Sequence, residues 1–209
     1  MTCRRWKPTS TWTCRRWRRR DTDGRDVIVL GIDPGTATTG YGVVSGDGTR
    51  PPTLIECGVI RTRPRDALPD RLLEIHGGVT ELIARHRPHA IAVEDVFYAK
   101  NVRTTVVLGH ARGVVLLAGA QARIDVYEFP PAEIKKAVVG SGGATKEQVQ
   151  FMLTRLLRLK AVPSPSDAAD GVAAALTYLM TARLPKVAAT PPVMASPFAT
   201  NPRAPGRRS

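Results

Sequence analysis

Two short apolar runs that each end in an acid constrain the fold of this 209-residue chain more than any other feature. Residues 27–33 are VIVLGID and residues 90–94 are AIAVE, so a carboxylate closes each run. Short continuous apolar runs between turn residues are typical of strands that are buried on both faces of a sheet. Because a charge at the end of a buried strand is costly unless something neutralises it, Asp33 and Glu94 indicate a shared cation.

Strands and helices alternate around these two runs. Two further short strands follow the first run, and their connections are too short for crossover helices, which predicts an antiparallel meander. Helical spacing of apolar residues, Pro88 as a helix stop and a capping box of Thr145 and Gln148 mark the helices. The sum is an α/β fold with a mixed five-stranded sheet and helices on both faces. The predicted strands are 27–33, 40–45, 54–60, 90–94 and 124–129, and the predicted helices are 68–83, 102–120, 145–157 and 164–180.

Most of the net positive charge lies outside this pattern. Of the net charge of +13, +6 belongs to residues 1–26 and +5 to residues 183–209, which leaves +2 for a central domain at 27–182. Residues 1–26 hold all three tryptophans without apolar periodicity, and they are either a disordered extension, a mis-assigned start, or a basic arm that follows a phosphate backbone. Residues 183–209 are rich in Pro, Ala and Arg and are expected to be a disordered tail.

Cysteine usage and hydropathy indicate the compartment. The three cysteines (Cys3, Cys14 and Cys57) have no zinc-ligand spacing, and an odd number argues against a disulfide scaffold. We expect no apolar run of the roughly 20 residues that span a bilayer, and the basic N-terminus lacks the apolar segment of a secretory signal. These features favour a cytoplasmic protein without a membrane partner.

Two more acids extend the predicted cation site. Asp167 and Asp170, in the sequence SDAAD, are three residues apart and share one face of the last helix. Four carboxylates suit two divalent ions about 4 Å apart, and hard oxygen ligands select Mg²⁺ or Mn²⁺ rather than Zn²⁺. Three of the acids also have an ordinary structural explanation: Asp33 starts a turn, Glu94 is a solvated strand end, and Asp167 belongs to a helix cap. Such an explanation is weakest for Asp170, which lies inside the helix among alanines. The order of the four acids is the more specific signal.

Cations and aromatic residues accompany the acids in the sequence. Lys135, Lys136 and Lys146 precede the last helix, and Arg112 lies in the central one, where each either contacts phosphate or forms a solvated face. Phe97 and Tyr98 are adjacent aromatic residues in a polar loop, which favours stacking on bases or a protein contact.

Five segments spread over nearly the whole span of residues 27–182 resemble the RuvC family of Holliday-junction resolvases. They occur in the order of that family and include all four acids. The segments are GIDPGTATTGYGVV at 31–44, VEDVFYAKN at 93–101, LGHARGVV at 108–115, IKKAVVGSGGATKEQVQFML at 134–153 and PSDAADGVAAA at 165–175.

The resemblance implies that residues 27–182 are a nuclease domain of the ribonuclease-H-like fold, in a homodimeric endonuclease for DNA recombination and repair. Such an enzyme resolves four-way DNA junctions by paired, symmetric, Mg²⁺-dependent nicks that leave 5′-phosphate and 3′-hydroxyl ends. Its partners are the branch-migration proteins RuvA and RuvB, and its central helix supplies much of the dimer interface.

The resemblance also assigns roles to individual residues. Asp33, Glu94, Asp167 and Asp170 become the catalytic acids, which hold two Mg²⁺ ions or Mn²⁺ in their place. Phe97 stacks on bases at the crossover, and Lys146 contacts phosphate. Lys135 does so too, although its neighbour Lys136 is an alternative that the sequence leaves open.

Three other functions compete with this interpretation. A ribonuclease H or another structure-selective nuclease shares the four acids on the same fold. GIDPGTATTG also resembles the phosphate hairpin of actin- and hexokinase-type ATPases, but those proteins need a second domain and a second phosphate loop. A junction-binding protein without catalysis is the third alternative, against which the presence of all four acids argues.

Overall fold

The computed structural model of the chain describes residues 26–95 and 102–181. The predicted extension at 1–26, except Asp26, and the predicted tail at 183–209 lie outside the described residues, as does Phe97. Within them the order of elements is β1 (Val27–Asp33), β2 (Thr38–Gly46), β3 (Thr53–Arg61), α1 (Leu68–His86), β4 (Ala90–Glu94), α2 (Val102–Ala122), β5 (Asp125–Phe129), α3 (Pro131–Val139), α4 (Lys146–Leu156) and α5 (Ser166–Thr181).

The five strands form one mixed sheet, as predicted. Its strand order is β3-β2-β1-β4-β5, with antiparallel pairing in the β1-β2-β3 meander and parallel pairing of β4 with β1 and with β5. All of the predicted strands are confirmed to within two residues at either end. The parallel pair β1–β4 brings the carboxyl ends of these two strands to the same edge of the sheet.

Helices cover both faces of the sheet, and strand alternation decides which side chain meets which helix layer. Val29 on β1 and Ala92 on β4 pack with α3, α4 and α5 on one face. Their neighbours Leu30 and Ile91 pack with α1 and α2 on the other. Burying a valine, leucine or isoleucine side chain stabilises the fold by about 1.5–3 kcal/mol. Turning a strand over would expose several such side chains, so their pattern fixes the face to which each strand residue points.

Helix α3 is absent from the sequence-based prediction. It has only nine residues and only two buried apolar positions, Ile134 and Val138, which is too short for a clear helical period. Pro131 near its first turn and Gly140 in the left-handed conformation after its end are nevertheless ordinary helix-boundary signals. The missed helix matters because Lys135 and Lys136 lie on it.

Helix α2 is more apolar than we expected. Residues 104–122 are long and apolar enough, by length and composition alone, to cross a membrane, which contradicts the expectation that no such run exists. Ala111, Val115 and Ala118, however, are buried in the core on the α1 side of the sheet. These three residues form the stripe of α2 that packs in the core. Packing in the core therefore explains one face of α2, but it does not explain why the other faces of the helix are apolar too.

Candidate metal-dependent nuclease site

Strand register brings the first two acids together. Ile32 pairs with Val93, so the next residues, Asp33 and Glu94, end neighbouring parallel strands at the same level. Asp33 has the same orientation as Val29, and Glu94 has that of Ala92, so both carboxylates point toward the face that α5 covers. The sheet alone therefore places two carboxylates side by side under one helix.

Helix α5 brings the other two acids to the same edge because glycines let it lie unusually close to the sheet. A Cβ atom on Gly31 would lie 2.1 Å from the carbonyl oxygen of Gly171 in α5. A Cβ atom on Gly40, the β2 partner of Asp33, would lie 1.9 Å from the carbonyl oxygen of Asp167. This close approach sets the first turn of α5 directly beside the end of β1.

The four predicted acids form one site with two overlapping parts. Carboxylate oxygens of Asp33, Asp167 and Asp170 lie within 4.8 Å of one another. Glu94 is not in that set, but with Asp33 and Asp170 it lines an adjoining cavity of about 230 Å³. Asp33 and Asp170 are thus common to both parts, and the sequence-based grouping of the four acids agrees with this geometry.

Burial and mutual repulsion disfavour the charged form of these acids and so raise their pKa values. Burial, then the charges of Asp170 and Asp167, raise the pKa of Asp33 to about 6. Burial and the charges of Asp33 and Asp170 raise the pKa of Glu94 to about 8. Clustered carboxylates with raised pKa values are typical of functional sites. A bound cation would remove the repulsion between the carboxylates and favour their charged form.

Lysines on α3 and α4 supply positive charge at the wall of the cavity. Lys146 Nζ donates a hydrogen bond of 2.6 Å to Asp170 Oδ2. Burial still outweighs this lysine and raises the pKa of Asp170. The predicted capping box of Thr145 and Gln148 is confirmed, and it fixes the first turn of α4, where Lys146 lies.

The structure separates Lys135 from Lys136. Lys135 is half-buried and lines the cavity beside Asp33 and Glu94, whereas Lys136 is exposed and does not line it. The phase of α3 is the cause, because Ile134 and Val138 are buried and turn Lys136 away from the acids. Sequence reasoning left this choice open because it did not predict α3.

Arg112, which we considered as a phosphate contact, is paired with two acids of the same chain. Its Nε donates a 2.5 Å hydrogen bond to Glu128 Oε1 and lies 3.4 Å from Asp95 Oδ1. Asp95 directly follows Glu94, and its N–H donates to the carbonyl oxygen of Phe129. Arg112 thus fastens α2 to the end of β4 instead of presenting a free charge to DNA.

The donor set fits a hard divalent cation. All of the converging ligand atoms are carboxylate oxygens, which favour Mg²⁺, Mn²⁺ or Ca²⁺ over softer metals. Two overlapping groups of acids that share Asp33 and Asp170 also suit two neighbouring ions. Among the described residues this is the one group of at least three metal-ligating side chains that lie close enough to hold an ion.

Comparison with known proteins agrees with this geometry. Residues 29–178 match the family model of the crossover junction endodeoxyribonuclease RuvC. The chain belongs to the RuvC family. RuvC from Salinispora arenicola is 52% identical over 151 residues, covering 72% of this chain and 86% of the relative. RuvC from Pelotomaculum thermopropionicum is 47% identical over 152 residues, covering 73% and 92%.

A solved RuvC structure confirms the fold. RuvC from T. thermophilus, in complex with a Holliday junction substrate, is similar with a TM-score of 0.72 and 39% sequence identity, covering 75% of this chain and 95% of that one. The expected ribonuclease-H-like fold and the expected family are therefore confirmed. The family model, which matches residues 29–178, covers the strand ends that carry Asp33 and Glu94 and the part of α5 that carries Asp167 and Asp170.

Proposed function

We propose that this chain resolves four-way DNA junctions by paired, symmetric, Mg²⁺-dependent nicks in recombination and repair. The observation that carries the proposal is the convergence of Asp33, Asp167 and Asp170 with Glu94 beside them at one edge of the sheet. Family membership supplies the substrate, since the T. thermophilus relative was solved with a Holliday junction.

The residues of the site divide into ligands and phosphate-binding groups. Asp33, Glu94, Asp167 and Asp170 are the groups that hold the metal. Two divalent ions held by these acids would supply the chemistry for activating water and for stabilising the leaving 3′ oxygen, so the cut ends would be a 5′-phosphate and a 3′-hydroxyl. Lys146 holds Asp170 in place and counters the negative charge of the site. Lys135, at the cavity wall, stabilises the additional charge on the phosphate in the transition state.

The partners follow from the same family membership and remain proposals. A homodimer gives two sites related by a two-fold axis, which suits symmetric nicks on a four-way junction. Phe97 stacks on bases at the crossover, and RuvA and RuvB deliver the junction. A cytoplasmic, nucleoid-associated location fits this substrate.

The decisive experiment compares strand cleavage of a synthetic four-way junction, a matched linear duplex and an RNA–DNA hybrid, each with Mg²⁺ or Mn²⁺. Wild type should cut only the junction, in symmetric pairs, while Asp33→Asn should bind the junction but cut roughly a thousandfold more slowly or not at all. The matched control is Asp125→Asn, which should cut normally. Asp125 is an exposed acid at the end of β5 that lies away from the acid site.

Each outcome separates one part of the proposal from another. Equal cutting of all three substrates would indicate a general nuclease of the same fold. Cutting by Asp33→Asn at the wild-type rate would show that the carboxylate site is not the catalytic one.

A further inference from the structure

A basic segment lies on the side of the acid site opposite the two lysines. Residues 61–65, here the arginine segment, comprise the last residue of β3 and the first part of its connection to α1, and they include Arg61, Arg63 and Arg65. All three side chains are exposed. Within the described parts of the chain, none of them forms an ion pair, although the segment is followed by Asp66 and Asp70. Three uncompensated arginines in five residues form a concentrated positive surface.

The arginine segment is fastened to the turn that follows Asp33. Thr62 is buried, with 7% of its surface exposed, and its N–H donates a 3.1 Å hydrogen bond to the carbonyl oxygen of Ala37. Its Oγ1 donates to the carbonyl oxygen of Thr36 at 2.5 Å and accepts from Arg71 Nε at 3.0 Å. Because Thr62 lies between Arg61 and Arg63, these bonds fix the arginine segment relative to the acid site.

Strand register gives the distance between the two. Asp33 pairs with Gly40 on β2, and Arg61 on β3 pairs with Thr38, which is two residues before Gly40 in β2. With strands about 4.8 Å apart and about 3.3 Å per residue, Arg61 lies on the order of 12 Å from Asp33. Because one strand carries a phosphate about every 3.4 Å of helix axis and also winds around that axis, this distance spans roughly two to three nucleotides.

Positive groups therefore flank the acids on both sides. Lys135 on α3 and Lys146 on α4 lie on one side, and the arginine segment extends beyond β2 on the other. A DNA strand with its phosphate at the acids must continue in one of these directions, and it needs cations there, because the acids themselves repel it. Exposed arginines on a loop, without a helix or hairpin to enter a groove, suit phosphates rather than base edges.

We propose that the arginine segment binds the backbone phosphates of the duplex arm next to the cut, roughly two to three nucleotides from the scissile phosphate. This inference rests on the proposed function and adds a second contact surface to it. The contact is independent of sequence and contributes affinity and arm orientation, whereas the acids and Lys135 contribute the chemical step.

The test uses the full chain with three Gln substitutions, Arg61→Gln, Arg63→Gln and Arg65→Gln, in one variant. Junction affinity should fall roughly tenfold near physiological salt, and the slope of log affinity against log salt should become shallower by about 0.9 for each phosphate that the variant no longer neutralises. The matched control replaces Arg87, Arg123 and Arg158 with Gln. These three arginines are also exposed, but Arg87 and Arg123 precede β4 and β5 at the opposite end of the sheet, and Arg158 follows α4.

Cleavage by saturating enzyme in a single turnover isolates the chemical step. The arginine-segment variant should keep the wild-type rate under these conditions, and a variant with Lys at the same three positions should recover most of the affinity. An unchanged affinity and salt slope in the Gln variant, or an equal decrease in the control variant, would overturn the inference. Failure of the wild type to cut a junction would instead overturn the proposed function, so the two failures are distinguishable.

Discussion

Single side chains decide the charge balance of the acid site. Four carboxylates converge there, and Lys146 and Lys135 are the cations that line the same cavity. Lys146 is hydrogen-bonded to a carboxylate, whereas Lys135 lines the wall between α3 and the two strand ends. The two lysines therefore differ in position. Lys146 holds an acid, whereas Lys135 faces the cavity that a phosphate would fill.

The first residue-scale prediction separates the two neighbouring lysines of α3. Lys135→Gln should lower the single-turnover rate of junction cleavage roughly 10- to 100-fold, because it removes a preorganised charge from the transition state. Lys136→Gln, which alters an exposed side chain one residue away, should cut within about twofold of wild type. Equal decreases in the two variants would show that these lysines act only through general attraction for DNA.

The second residue-scale prediction concerns pH and stability in the absence of metal. The raised pKa values of Asp33, about 6, and Glu94, about 8, mean that the folded protein binds protons that the unfolded chain has already released. Acid therefore stabilises the metal-free fold. Its free energy of unfolding should decrease as the pH rises from about 5 to about 8, with a slope of up to about 1.4 kcal/mol per pH unit for each proton involved.

Denaturant unfolding with EDTA at several pH values measures this dependence. Glu94→Gln should flatten the curve near pH 8, and saturating Mg²⁺ should flatten it throughout, since the cation takes the place of the protons. A metal-free stability that is constant or increases between pH 5 and 8 would contradict the raised pKa values.

At the scale of elements, the close packing of α5 on β1 and β2 converts four separate acids into one site. The helix approaches so closely because glycines replace side chains where backbones meet. Helix position, more than any single hydrogen bond, sets the distance from Asp167 to Asp33.

The element-scale prediction tests this packing. Gly40→Ala places a methyl group where the carbonyl oxygen of Asp167 lies, so it should lower the free energy of unfolding by about 1–3 kcal/mol or more and displace the first turn of α5. Junction cleavage should fall with it. Gly77→Ala in α1, where a Cβ would meet nothing within 4 Å, is the control and should stabilise by about 0.5–1 kcal/mol. Wild-type stability and cleavage in Gly40→Ala would exclude this role of the close packing.

Element patterns also explain what the sequence could predict. Asp33 and Glu94 were predictable because each ends an apolar run, and parallel pairing then brings the ends of such runs together. The choice of Lys135 over Lys136 was not, because it depends on the phase of a nine-residue helix with two buried apolar residues. The charge of Arg112 was visible in the sequence, but its partners Asp95 and Glu128 lie in other elements that only the tertiary fold brings near.

At the scale of the whole molecule, one face of α2 has no partner among the residues that the structure describes. Its buried stripe, Ala111, Val115 and Ala118, covers the sheet. On other sides of the helix the exposed residues recur at helical spacing and are mostly apolar or small: Val106, Gly109, His110, Gly113, Leu117 and Ala120. An added Cβ at Gly109 or Gly113 would meet nothing within 4 Å. Small residues in such a stripe allow a second helix to approach closely, which supports the homodimer that family membership leads us to propose.

The last prediction follows from this face. Val106→Glu with Leu117→Glu places two charges where the side chains are 55% and 51% exposed in the monomer, so the fold should be retained while a dimer that buries them is disrupted. Sedimentation equilibrium should give a monomer of about 22.6 kDa for this variant and twice that mass for wild type. Leu73→Glu, on α1 and 70% exposed, is the control and should leave the mass unchanged.

Because each protomer carries one complete acid site, the monomeric variant should still nick single strands of a junction at high concentration, but the two nicks should no longer be paired. A dimeric mass for the double variant, or paired nicks from a proven monomer, would contradict an α2 interface.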